Sequence, residues 1–140
     1  MRDFEFTMDM CHKLAAAAEQ AQKELGVSIT MSVADRYGAL RYCFRFGDAI
    51  LPSLEISQNK AYTAAVLGQS TGEFGKIAQA GAEAFGINVT FPKLVIFGGG
   101  FPLRVAGETV GGLGISGGSV AEDEAVAERV LEVFRVLADG

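Results

Sequence analysis

The chain has a single histidine, His12, which stands beside Cys11 and one helical turn from Met8. An imidazole next to soft sulfur groups could ligate haem iron. The competing reading is a residue at the border of an apolar helix face, and the residues alone favour it. One histidine is too few for the multi-histidine sets that hold zinc or non-haem iron. Cys11 falls in the middle of the apolar stripe and reads as an inert buried thiol. Cys43 lies between Arg41 and Arg45, a setting in which thiols become reactive unless the arginines pair with acids. Glu55, Asn59 and Lys60 share a predicted helix. Lys60 could reach a carboxylate or a propionate, and a solvated helix face is the alternative. No Ser-His-Asp set and no placeable carboxylate pair is present, so no reaction is spelled out and a non-enzymatic role is favoured.

Glycine is the other unusual feature. There are 18 glycines in 140 residues, well above the roughly 7% of ordinary proteins. They concentrate in Gly98-Gly99-Gly100 and between Gly111 and Gly118. A glycine inside a regular element costs roughly 0.5–1 kcal/mol against alanine, so something must need the missing side chain. At Gly112 and Gly114 that something is either a flat ligand on the strand or a tightly packed helix or subunit. Gly117 and Gly118 feed a helix N-terminus, which attracts anions, and Arg104 could assist. Neither a Walker nor a Rossmann pattern is formed. Glu122, Asp123 and Glu124 compete with an incoming anion, so a plain strand-to-helix turn is favoured.

The elements that must position these residues follow from periodicity. Residues 7–25 repeat apolar positions at helical spacing and stop at Gly26. Residues 27–33 and 40–46 alternate around Asp35-Arg36-Tyr37-Gly38, a hairpin signal that sends Arg41, Cys43 and Arg45 to the polar face. Pro52 and Ser53 open a helix that runs to Leu67 before Gly68. Ser70 and Glu73 form a capping box for a short helix to about Ala78. Residues 81–92 read as loop. Residues 93–97, 102–105 and 109–116 read as three strands. Ser119 and Glu122 cap a last helix with Val126, Val130, Val133, Phe134 and Leu137 on one stripe. The expected architecture is a single α+β domain over 1–140: a five-stranded antiparallel sheet, profilin-like or roadblock-like, packed with helices from both chain ends.

Bulk properties bound the partners. A net charge of −5 argues against nucleic acid. Two cysteines make no disulfide framework. No apolar run reaches membrane-spanning length, and residues 1–9 carry three acids with no apolar core. The expectation is a cytoplasmic protein with free thiols.

Val33-Ala34-Asp35-Arg36-Tyr37-Gly38, Lys60-Ala61-Tyr62-Thr63-Ala64, Gly98-Gly99-Gly100-Phe101-Pro102-Leu103 and the stretch from Val110 to Gly118, in this order and spacing, resemble the GlcG/HbpS-type haem-binding family, which includes the PduO C-terminal domain. The resemblance covers nearly the whole chain. It implies a profilin-like fold, homo-oligomers and, in some members, haem. It places haem ligation on the first helix, where His12 and Cys11 lie. It supports a small-ligand binding or sensing protein. The alternative it supports is a non-catalytic accessory protein of glycolate or cobalamin-dependent diol/glycerol metabolism, with a metabolic enzyme as partner.

Overall fold

The structure, a computed structural model, describes residues 3–139. Helix α1 spans Met8–Leu25. It starts where the Thr7 hydroxyl accepts the Met10 N–H and ends on Gly26, whose left-handed backbone (φ 70°) lets its N–H reach the carbonyls of Gln22 and Lys23. Strands β1 (Thr30–Asp35) and β2 (Leu40–Arg45) form the expected hairpin. Helix α2 (Pro52–Leu67) and α3 (Thr71–Ala78) follow, the latter capped by the Ser70 hydroxyl. A one-turn helix α4 (Ile87–Thr90) lies in the segment expected to be loop. Strands β3 (Gly100–Val105) and β4 (Glu108–Ser116) lead to α5 (Val120–Asp139). The capping box of α5 is reciprocal: Ser119 N–H donates to Glu122 Oε1 and Glu122 N–H to Ser119 Oγ.

Among the described residues the sheet has four strands, in the order β2-β1-β4-β3, every neighbouring pair antiparallel. The expected fifth strand, residues 93–97, does not form. Leu94 and Val95 are buried, but the Val95 N–H donates to the Thr63 hydroxyl on α2 rather than to a neighbouring strand. A short apolar run reads alike as a strand or as a buried connection, and here a side-chain acceptor has replaced the ladder.

The sheet is covered on both faces. One face carries Met31, Val33, Leu103, Leu113 and Ile115 against α1 and α5, and this is the main apolar core. The other face is made of small residues, Thr30, Ser32, Ala34, Gly100, Gly112 and Gly114, and α2 lies on it. The β1 half of the hairpin's polar face is therefore covered, while Arg41 and Arg45 of β2 remain exposed. Thr30 and Ser32 are fully buried and pair their hydroxyls with Ser53 and Ser57 of α2 at 2.7 and 2.8 Å. A β-bulge between Val33 and Ala34 turns Leu40 to the α2 side of the sheet, opposite Ala34.

Candidate functional site

Helix α1 and edge strand β2 enclose a groove of about 220 Å³ on the core side of the sheet. From α1 come His12, Ala15, Ala16 and Glu19; from β2 come Tyr42 and Phe44, with Phe46 just beyond its end. These three aromatics occupy alternate positions and so share one face of their strand. The His12 ring meets the Tyr42 ring edge-on at 5.9 Å. Phe44 and Phe46 pack at 4.7 Å, and Phe44 remains 48% exposed at the groove mouth. The alanines of α1 leave the wall low, and the Phe44 ring stays open to solvent. Burial pushes the Tyr42 phenol up, and nearby Cys11 adds to the effect.

Cys11 does not join His12 in this groove. Successive helical residues point about 100° apart, and Cys11 turns into the core, 3% exposed, where burial raises its thiol pKa against a smaller opposing effect of Arg41. Cys43 is half-buried and touches the Gln58 amide at 3.8 Å. Arg41 pairs with Asp35 at 2.9 Å and Arg45 donates to the Ala49 carbonyl. The two flanking arginines are thus engaged elsewhere.

Lys60 is not on a solvated face. It is fully buried, and its ammonium donates to the Ile115 carbonyl at 2.7 Å and to Asp123 Oδ2 at 3.1 Å while lying 5.2 Å from the Phe97 ring. Burial pushes Lys60 down and Asp123 up, and their mutual attraction opposes both shifts. The remaining Asp123 oxygen accepts the Gly118 N–H at 2.9 Å. The anion that the Gly117-Gly118 junction attracts is therefore the chain's own Asp123. Sixty-three residues separate Lys60 from Asp123, so no local spacing signals the pair.

The glycines surround this pair and the underside of α2. A Cβ on Gly99 would lie 2.5 Å from Lys60 Nζ, and one on Gly98 would overlap the Glu124 carboxylate. A Cβ on Gly112 would lie 2.0 Å from the Ala61 carbonyl oxygen, and on Gly114 1.9 Å from that of Ser57. The close approach at Gly112 and Gly114 is made by a helix of the same chain. Arg104 donates to the Gly68 carbonyl at the end of α2. Of the residues singled out from sequence, the structure places His12 in an open groove. It places Lys60, Gly112 and Gly114 in buried seams, Gly117 and Gly118 at the α5 junction, and Arg104 on the α2 cap. Tyr42, Phe44 and Phe46 are legible as one strand face, but their meeting with His12 is not.

Among the described residues no group of three or more His, Cys, Asp or Glu is placed to hold a metal ion, and no helix is long and apolar enough to cross a membrane.

A family model described as haem-degrading protein HbpS-like matches residues 6–132. The chain belongs to the HbpS-like family. A 15.0 kDa protein from the dhaT–dhaS intergenic region of Citrobacter freundii is 39% identical over 132 residues, which is 94% of this chain and 93% of that protein. The corrinoid adenosyltransferase PduO of Salmonella typhimurium is 36% identical over 126 residues, covering 89% of this chain but only 38% of PduO. Among solved structures, a PduOC:haem complex superposes with a TM-score of 0.88 at 34% identity, over 93% of this chain and 95% of that one. Klebsiella pneumoniae ORFY gives 0.89 at 33% identity, over 96% and 97%.

Proposed function

We propose that this chain binds haem in the groove between α1 and β2, with His12 as the residue that would hold the iron, and serves as a haem-binding or haem-sensing protein. The observation that carries the reading is that its one histidine stands at the mouth of an aromatic groove. The donor set fits the group. Imidazole is a standard haem ligand, the Tyr42, Phe44 and Phe46 rings offer apolar surface to a porphyrin, and Ala15 and Ala16 leave room for a flat ring. The 34% identical PduOC, solved as a haem complex, supports the assignment. At about 220 Å³ the groove falls below the roughly 300–1,000 Å³ of enclosed small-molecule sites. It would therefore grip part of one macrocycle face and leave the rest to solvent or to a second copy. Bound haem would supply a redox-active iron.

Titration with hemin tests this directly. A Soret band at saturating stoichiometry is expected, shifted by His12→Ala and weakened in affinity by Phe44→Ser. A spectrum that stays that of free hemin, or a bound spectrum indifferent to His12→Ala, overturns the assignment.

A second reading is an accessory role beside a metabolic enzyme, supported by the likeness to part of PduO and to GlcG of Escherichia coli, 37% identical over 103 residues. Affinity capture from native cells that returns no metabolic enzyme would count against it.

A further inference from the structure

The sheet has two edges, and they differ. On β3 the Thr71 hydroxyl accepts the Gly100 N–H at 2.9 Å and donates to its carbonyl at 3.5 Å, and Pro102 has no N–H to offer. Edge strand β2 has no such cover. The Phe46 N–H donates to the Ile29 carbonyl at 3.0 Å, and Phe44 and Tyr42 stand opposite Met31 and Val33. Antiparallel bonding alternates, so Tyr42 and Phe44 turn their backbone groups to β1, while Cys43 and Arg45 turn theirs outward. Among the described residues these four outward groups, two N–H and two carbonyls, have no hydrogen-bond partner. An open edge of this kind is a template for another strand. No residue of β2 is buried, Phe44 is half-exposed, and Ile50 and Leu51 in the loop that follows are more exposed still.

We propose that the strand seated on this edge is β2 of a second copy, paired antiparallel about a two-fold axis, so that the two sheets become continuous. The register follows from the outward groups. Pairing Cys43 with Arg45 of the second copy, and Arg45 with its Cys43, satisfies all four groups of each copy. Centring the axis on Cys43 would set Arg45 against Arg41, the residue that the β-bulge skips. Centring it on Arg45 would set Cys43 against Gly47, beyond the strand. In the register that remains, Phe44 meets Phe44 of the second copy across the axis. That pair exchanges no backbone bonds, and its Cα atoms come to about 4.5 Å. Two half-exposed rings leave water together, so the surface complements itself as a two-fold interface must. The two Arg45 side chains stand only diagonal to each other, and each Nε–H is held by the Ala49 carbonyl of its own copy. On the α1 side the row Tyr42, Phe44, Phe46 meets Phe46, Phe44 and Tyr42 of the second copy. Each aromatic groove thereby gains the other copy's rings as a further wall, completing a site that one copy leaves small and open. The pairing needs no ligand and does not rest on the haem reading.

Cross-linking of the whole chain, without hemin, tests the register. In a Cys43→Ser background, Phe44→Cys should be oxidised by glutathione disulfide to a covalent dimer, because Cα atoms about 4.5 Å apart lie within disulfide range. Arg45→Cys in the same background should stay unlinked, since two strand residues of offset put the diagonal Cα atoms roughly 8 Å apart. Cys11 is buried and takes no part. Hydrogen exchange on the unsubstituted chain supplies a second measurement. The Cys43 and Arg45 amides should be protected in the assembled protein and lose that protection on dilution to monomer, while the Phe44 amide, bonded to β1, keeps its own. Arg45→Cys linking as readily as Phe44→Cys, or neither linking, would overturn the register. Cys43 and Arg45 amides that exchange freely in the assembled protein would overturn the pairing itself.

Discussion

Replacing Lys60 with methionine keeps an unbranched side chain, one atom shorter, and removes its charge. The Asp123 carboxylate, 3% exposed, is left with one bond from the Gly118 N–H, and the Ile115 carbonyl loses its donor. Breaking a buried pair by removing one partner costs about 3–5 kcal/mol, a large part of the roughly 5–15 kcal/mol that holds a domain folded. Asp123→Asn in the same chain removes the orphaned charge yet keeps an acceptor for Gly118. The double variant should regain most of the loss and retain only the unpaired Ile115 carbonyl, about 1–3 kcal/mol. The deficit of Lys60→Met should also depend on pH. Burial already raises Asp123 above its ordinary value, and losing Lys60 raises it further. A carboxyl whose folded pKa is raised contributes stability that is complete below its unfolded value, about 3.9, and lost as pH climbs through the folded one. The single variant should therefore fall further behind the parent as pH rises above about 4. Urea unfolding followed by circular dichroism measures all of this. A Lys60→Met cost under about 1 kcal/mol, or a double variant as weak as the two singles added, would refute the reasoning.

Other perturbations probe the remaining contacts. Gly114→Ala drives a methyl to 1.9 Å from the Ser57 carbonyl and must lift α2 from the sheet. A loss of about 2 kcal/mol in urea unfolding is expected, and a neutral result would mean that the seam is loose. A thiol-reactive chromophore should label one cysteine in the native chain, with Cys43→Ser abolishing the signal, because buried Cys11 reacts only on unfolding. Phe44, Ile50, Leu51, Phe85 and Val89 are each at least 48% exposed, apolar surface that packing against another copy would remove from water. Sedimentation as an assembly larger than one chain is expected, and a monomer at micromolar concentration would contradict it.

Much of the chain's local grammar was legible, though a turn of helix stands at 87–90 where a loop was expected and 93–97 forms no strand. Ser70 and Ser119 cap the helices that their spacing marks, and Gly26 and Gly68 end theirs. What local grammar does not contain is which element lies on which face. The alternation in 27–33 looks like a strand with one wet face because serine and threonine are polar. Against α2 the same hydroxyls are satisfied by Ser53 and Ser57, and their small volume is the property that matters. Lys60 reads as solvated for the same reason: helical spacing reports neighbours on one helix, not an acid arriving from another. The groove around His12 was half visible, since its histidine stood out and its three aromatics shared a strand face, but only the sheet order puts that strand at an edge.

That sheet order also separates the glycines from ligand binding. Gly112 and Gly114 lie on β4, an interior strand whose α2 face is already filled by helix backbone, and Gly98 to Gly100 wrap a buried ion pair. Removing side chains there lets backbones meet at distances that any Cβ would forbid, which secures α2 and the start of α5 against the sheet. Edge strand β2 is the opposite case. Its side chains are exposed or half-buried along its length, whereas every residue of β1 is buried. The aromatic groove opens on one face of β2. Clefts persist where packing is incomplete. In this fold β4 is closed off by its own glycines, and the proposed haem groove lies instead against edge strand β2, where side chains remain exposed.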